Sequence, residues 1–214
     1  MQEVKEQQKQ PSPAGRPFAP AFLGTSLWFG SWDTGRIYET DPKSGAVRNE
    51  FAAPGKPFGL AALDGELRVV TSNNGVEDDR YLYRLVPGTG FDLASKIPCP
   101  DLTGSHLAVD GGELYLAQLH NRRILVLSSD GTTQRKITLP SQIAGMGFRD
   151  GKLYVIAADE DFEDLRFATL SGDRETPQLS EIAKLSSVAR CLAFDGQAWW
   201  TSYREENEIV SFTV

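Results

Sequence analysis

His106 and His120 are the only histidines in the chain, and Cys99 and Cys191 the only cysteines. A nucleophile activated by an imidazole would need Ser105 or Cys191 beside His106, and neither pairing has a local signature. The cysteines lack the paired spacing of a zinc site and read as two buried free thiols, with a disulfide between them as the alternative. Carboxylates are plentiful but fall in short acidic runs. These are Asp33; Glu77, Asp78 and Asp79; Asp159, Glu160, Asp161, Glu163 and Asp164; and Glu205 and Glu206. An acid–base pair needs surroundings that drive two carboxyl pKa values apart, and exposed runs do not supply them. No Walker loop, G-x-S-x-G elbow, H-E-x-x-H or dinucleotide fingerprint occurs.

These residues sit on a chain with 40% hydrophobic and 24% charged residues and a formal charge of −7. That composition supports a single folded domain over 1–214 and argues against nucleic acid or an anionic membrane as partner. No apolar run approaches the ~20 residues of a membrane span. The segment MQEVKEQQKQPSPAGRP has no apolar stretch of the kind that opens a signal peptide. The chain therefore reads as cytoplasmic, or as periplasmic or secreted where a signal peptide has been removed, and as a monomer.

The elements that must position the candidate residues are β-strands arranged as repeats. Asp-Gly pairs at Asp64-Gly65, Asp110-Gly111, Asp150-Gly151 and Asp195-Gly196 each follow a small apolar strand. Asp-Gly suits tight hairpins because both positions accept a positive φ at low cost. The strands after the turns begin near Leu67, Leu114, Leu153 and Trp199, with an earlier copy at Leu27. Their spacing, about 40 to 47 residues, is that of a four-stranded propeller blade. LWFGSWDTGRIY, LYLAQLHNRRIL and WWTSYREENEIV align without gaps from Leu27, Leu114 and Trp199. A fourth, outer strand is expected at 46–52, 91–97, 133–139 and 179–185, whereas the fifth copy stops after its third strand.

The expected fold is all-β: a single five-bladed propeller of four-stranded antiparallel blades. A ring must close or leave an open edge. Residues 1–19 read as a polar, proline-rich leader, part of which supplies the missing strand by pairing within 1–10 against 207–213.

Ligands of such a ring are expected at the mouth where the second-to-third-strand loops gather, and the acidic runs predict a negative mouth that attracts cations, amines or a basic partner. His106 stands where other copies carry Gly59, Gly145 and Cys191, so it either fills the channel or reaches a ligand. All four tryptophans lie in the first and last copies, and ring closure would gather them into one aromatic wall. Trp28, Trp199 and Trp200 read as packing and Trp32 as the aromatic ligand contact. The full candidate ligand set is Trp32, Asp33, Phe58, Asn73, His106, His120, Asp159, Arg190 and Tyr203.

The G-L-A…D-G…L-Y-V…N-x-R-I arrangement resembles NHL and related propellers. RIYETDPKSG (36–45) and AFDGQAWWTSYREENEIVSF (193–212) resemble bacterial relatives of plant-type glutamine cyclotransferases. That family carries a catalytic Glu before the Gly of an inner strand. The matching place here is Phe58, and the other copies offer Ser105, Ala144 and Arg190. The loop residues Asn73, Asn74, Asn121 and Asp159 also resemble those with which gluconolactonase-type propellers hold a divalent ion, which makes a cation such as calcium, on Asn73, Asn121 and Asp159, the cofactor the resemblance implies, although the E-G-P-x-W motif is absent. The favoured reading is a binding module for a small molecule or peptide, without built-in catalysis. The alternatives are a metal-dependent, lactonase-like hydrolase or lyase, a degenerate glutamine cyclotransferase, and a protein-interaction scaffold.

Overall fold

In the computed structural model, which describes residues 2–74 and 79–214, the chain forms five sheets of a propeller ring. Strands β1 (Gln2–Glu3) and β2 (Lys5–Pro11) come first. The first blade then runs from channel to rim as β3 (Pro17–Leu23), β4 (Ser26–Ser31), β5 (Arg36–Thr40) and β6 (Val47–Ala52). The second is β7 (Lys56–Leu63), β8 (Glu66–Ser72), β9 (Arg80–Val86) and β10 (Gly90–Pro98). The third is β11 (Leu107–Asp110), β12 (Glu113–Gln118), β13 (Arg123–Leu127) and β14 (Thr133–Thr138). The fourth is β15 (Gln142–Arg149), β16 (Lys152–Ala158), β17 (Leu165–Ser171) and β18 (Gln178–Lys184). The fifth has β19 (Ala189–Phe194), β20 (Trp199–Tyr203) and β21 (Glu208–Thr213), and β2 is its outer strand. Among the described residues, no helix is long and apolar enough to cross a membrane.

Each blade is buried on both faces, which is why the middle strands read as near-continuous apolar runs. On β12, Leu114 and Leu116 pack toward the second blade, while Tyr115 and Ala117 pack toward the fourth. Period-two alternation thus divides one strand between two cores. Among the described residues five buried clusters result, one at each junction between neighbouring blades.

Closure occurs through the N-terminus. Strand β2 lies antiparallel to β21, with Lys5 opposite Thr213 and Pro11 opposite Glu208. Glu6 fixes the register inward: its carboxylate accepts from the Tyr203 hydroxyl at 2.8 Å and from Ser186 Oγ at 2.5 Å. One addition departs from the four-strand expectation. Strand β1 pairs in parallel with β18, Gln2 opposite Ala183, making the fourth sheet five-stranded. Val4 is buried at the junction of the fourth and fifth blades between the two pairings.

The polar leader is shorter than its composition implies, because β3 already begins at Pro17. Pro17 and Pro20 are tolerated there because the innermost strand has a ladder partner on one side only. The tight turns follow the Asp-Gly pattern at Asp64-Gly65 and Asp150-Gly151, where all four residues have positive φ. In the third blade the turn slips by one residue to Gly111-Gly112.

Candidate functional site

Each inner strand is interrupted at the same level. The pairing register shifts between Phe18 and Ala21, Pro57 and Gly59, Ile143 and Gly145, and Arg190 and Ala193. In the third blade, Ser105 and His106 both bond Ala117. A bulge bends its strand and re-aims the extra side chain. Here it turns Phe18, Phe58, Ser105, Ala144 and Arg190 into one cavity of about 840 Å³ at the mouth. These are the positions at which the cyclotransferase resemblance requires its carboxylate, and none carries one.

The next residue in each strand forms the floor, where the strands crowd together. A Cβ on Gly59 would lie 2.6 Å from the Ser105 carbonyl oxygen, and one on Gly145 2.6 Å from the Cys191 carbonyl carbon. His106 occupies this level with 3% of its surface exposed. Its ring stacks on Phe18 with centroids 5.7 Å apart, and Nδ1 lies 3.0 Å from Cys191 Sγ. Burial, followed by the charge of Arg190, pushes the imidazole pKa down from 6.5 to about 3. Burial pushes the Cys191 thiol up. A neutral imidazole against a protonated thiol is a plug for the channel, and it is the opposite of the ionised pair a thiol nucleophile requires.

Above the floor the lining carries charge of the sign opposite to expectation. Lys56, Arg80, Arg190 and Arg204 line the cavity, and Asp101 is the single carboxylate among its described lining residues. Asp101 is already paired with Arg123. The acidic runs find partners elsewhere: Asp33 with Arg16, Glu160 with Arg122, Asp164 with Arg166. Glu77 and Asp78 lie outside the described residues.

Three guanidinium groups each sit against a ring. The central carbon of Arg204 is 4.0 Å from the centroid of Trp32, that of Arg80 3.8 Å from Phe58, and that of Arg190 4.4 Å from Phe162. Trp32 is itself pinned, stacked on Phe18 at 5.3 Å and donating Nε1 to the Pro57 carbonyl at 2.6 Å. Burial lowers the pKa of Arg204, and burial together with the Arg204 charge lowers that of Arg190. Arg190 donates to the Ala189 carbonyl at 3.3 Å, whereas Nε of Arg204 is buried without a hydrogen-bond partner.

Of the sequence candidates, Trp32, Phe58, His106, His120 and Arg190 meet at this cavity. Asp33, Asn73, Asp159 and Tyr203 are not among its lining residues. Asp159 instead accepts the Glu163 amide at 2.9 Å, and Tyr203 is buried in the closure of the fifth blade. The proposed cation ligands separate likewise, since Asn121 lines the cavity and Asn73 and Asp159 do not. Among the described residues no group of three or more His, Cys, Asp or Glu side chains is placed to hold a metal ion. A divalent cation does not fit a mouth lined by four basic side chains.

The tryptophan wall does not form. Trp28 packs between the first and second blades, Trp199 between the fourth and fifth, and Trp200 between the fifth and first. Sequence reasoning missed Phe18, Arg80, Phe162 and Arg204. A signal for Phe18 existed: PFAPAFL at 17–23 matches PFGLAAL at 57–63 at four of seven positions.

No protein-family model matches the chain, and no curated protein matches it in sequence. Solved structures do. Glutaminyl cyclase of Myxococcus xanthus is 11% identical with a TM-score of 0.64, the match covering 99% of this chain and 98% of that one. The PQQ-bound aldose sugar dehydrogenase of Streptomyces coelicolor is 13% identical with a TM-score of 0.64, over 99% and 81%. A catalytically inactive virginiamycin B lyase of Staphylococcus aureus, with quinupristin, is 14% identical with a TM-score of 0.59, over 96% and 83%. At these identities the likeness establishes the propeller fold alone.

Proposed function

We propose that the chain is a ligand-binding propeller that holds a small molecule or a peptide end in its mouth cavity and performs no bond-breaking chemistry with its own side chains. The observation that carries this reading is the set of five bulges. They deliver Phe18, Phe58, Ser105, Ala144 and Arg190 to one concave site of about 840 Å³. A pocket of that size, mostly preformed and mixing aromatic with polar groups, is suited to a small ligand. Among the described lining residues the one carboxylate, Asp101, is paired with Arg123, and His106 is held neutral at the floor. A resident divalent ion is disfavoured by the basic lining, so no hydrolytic step through a metal is derived.

The test is retention. Purified protein is incubated with a metabolite extract and re-isolated by gel filtration, and bound compounds are identified by mass spectrometry. Ser105→Trp, which fills the cavity from a partly exposed position, is treated in parallel. A compound retained by the wild type and absent from Ser105→Trp supports the reading. Identical profiles for the two proteins refute it.

A further inference from the structure

We propose that the mouth selects an oxyanion, a carboxylate- or phosphoryl-bearing molecule gripped by Arg190 and Arg204 with Arg80 and Lys56 at its margin. The proposal rests on the reading of the mouth as a binding site and specifies its ligand class. Burying a guanidinium costs free energy unless a counter-charge or a full set of hydrogen bonds offsets it. Arg190 and Arg204 are both partly buried and line the same cavity, and the charge of Arg204 adds to the burial that depresses Arg190. Neither has a carboxylate within ion-pair distance among the described residues. The pull of Glu205 on Arg204 is smaller than the burial penalty that opposes it. Nε of Arg204, buried and without a partner, is a donor in want of an acceptor.

The rings under these groups explain how the cost is borne without a counter-ion. The face of an aromatic ring attracts a guanidinium and shields its flat side. A guanidinium seated face-on keeps its in-plane N–H groups available, and those match the oxygens of a carboxylate or phosphate. Trp32 is held by the Pro57 carbonyl and by Phe18, so Arg204 rests on a fixed platform before any ligand arrives. Asp101, the one acid in the described lining, is taken by Arg123, and His106 is neutral. The arrangement stands out against a chain whose formal charge is −7, so it does not follow from general basicity.

Isothermal titration with citrate and with inorganic phosphate tests this, at an ionic strength held constant with sodium chloride and with spermidine as the cationic control. The expected result is saturable binding of at least one anion and none of spermidine. Citrate alone marks a carboxylate ligand, phosphate alone a phosphoryl ligand. Arg190→Gln and Arg204→Gln should each weaken binding at least 10-fold, and Arg204→Lys should not restore it, because an ammonium lacks the planar fork. Without anion, Arg204→Gln should melt at or above the wild-type temperature, since it removes an uncompensated charge. Lys56→Glu, at an exposed position, should weaken the same anion by about 3- to 10-fold with no risk to the fold. Absence of anion binding by the wild type, or equal binding by wild type and all these variants, overturns the proposal. If the retention experiment yields an uncharged or cationic compound lost in Ser105→Trp, the binding reading stands and the oxyanion assignment fails.

Discussion

Replacing His106 with Gln should flatten the acid dependence of stability. Folding takes this imidazole from an ordinary pKa of 6.5 to about 3, because burial disfavours its charged form and Arg190 adds repulsion. The native state therefore binds fewer protons than the unfolded chain between those values. The sign follows: the contribution is fully present above pH 6.5 and is lost as pH falls toward 3. At pH 5.0 the unfolded histidine is almost wholly protonated and the native one is not. The resulting loss relative to pH 7.5 is about 2 kcal/mol. On a chain of this length that corresponds to a melting shift of about 4–8 °C. Urea denaturation of wild type and His106→Gln at pH 7.5 and 5.0 gives four stabilities. The wild type should lose about 2 kcal/mol more than the variant between the two pH values, because carboxylates common to both proteins cancel. A double difference below about 0.5 kcal/mol, or one of opposite sign, would refute the neutral plug.

Other perturbations probe different parts of the ring. Gly145→Ala places a methyl 2.6–2.8 Å from the backbone of Cys191 and should cost about 1–3 kcal/mol in urea denaturation. Tyr203→Phe, which removes the hydroxyl that joins Glu6 to Ser186, should cost about 1 kcal/mol by the same measurement. Deleting residues 2–11 exposes the edge of β21 and should produce oligomers or aggregates on size-exclusion chromatography where the full chain gives a single species. Neither 1 mM calcium nor EDTA should move the melting temperature, given the basic lining; a calcium-dependent rise of several degrees would count against that electrostatic picture.

The ring itself was legible because a propeller announces itself through period. Leu67, Leu114, Leu153 and Trp199 recur at blade spacing, and a fifth copy lacking an outer strand required one from elsewhere in the chain. What composition obscured was Pro17–Leu23. Its two prolines suggested a leader, although an innermost strand with one neighbour tolerates them. The cavity lies at the mouth the loops pointed to, but its charge is of the opposite sign. Counting Asp and Glu in a loop says nothing about which residues of that loop face the channel. Asp33 turns to Arg16 and Asp164 to Arg166, while single arginines at 80, 190 and 204, on two different blades, converge. No run of sequence brings those three together; only the ring does.

The closing strand has a consequence for how the chain is made. Lys5–Pro11 leaves the ribosome well before its partner Glu208–Thr213. At ordinary elongation rates the strand waits about 10–40 s for its ladder. KEQQKQP, with two lysines, a glutamate and three glutamines, is a sequence that can wait in water without recruiting another chain. The polarity that makes this segment look unstructured is thus compatible with its late role: the ring cannot close until β21 has been made, by which time the other four blades can already have formed.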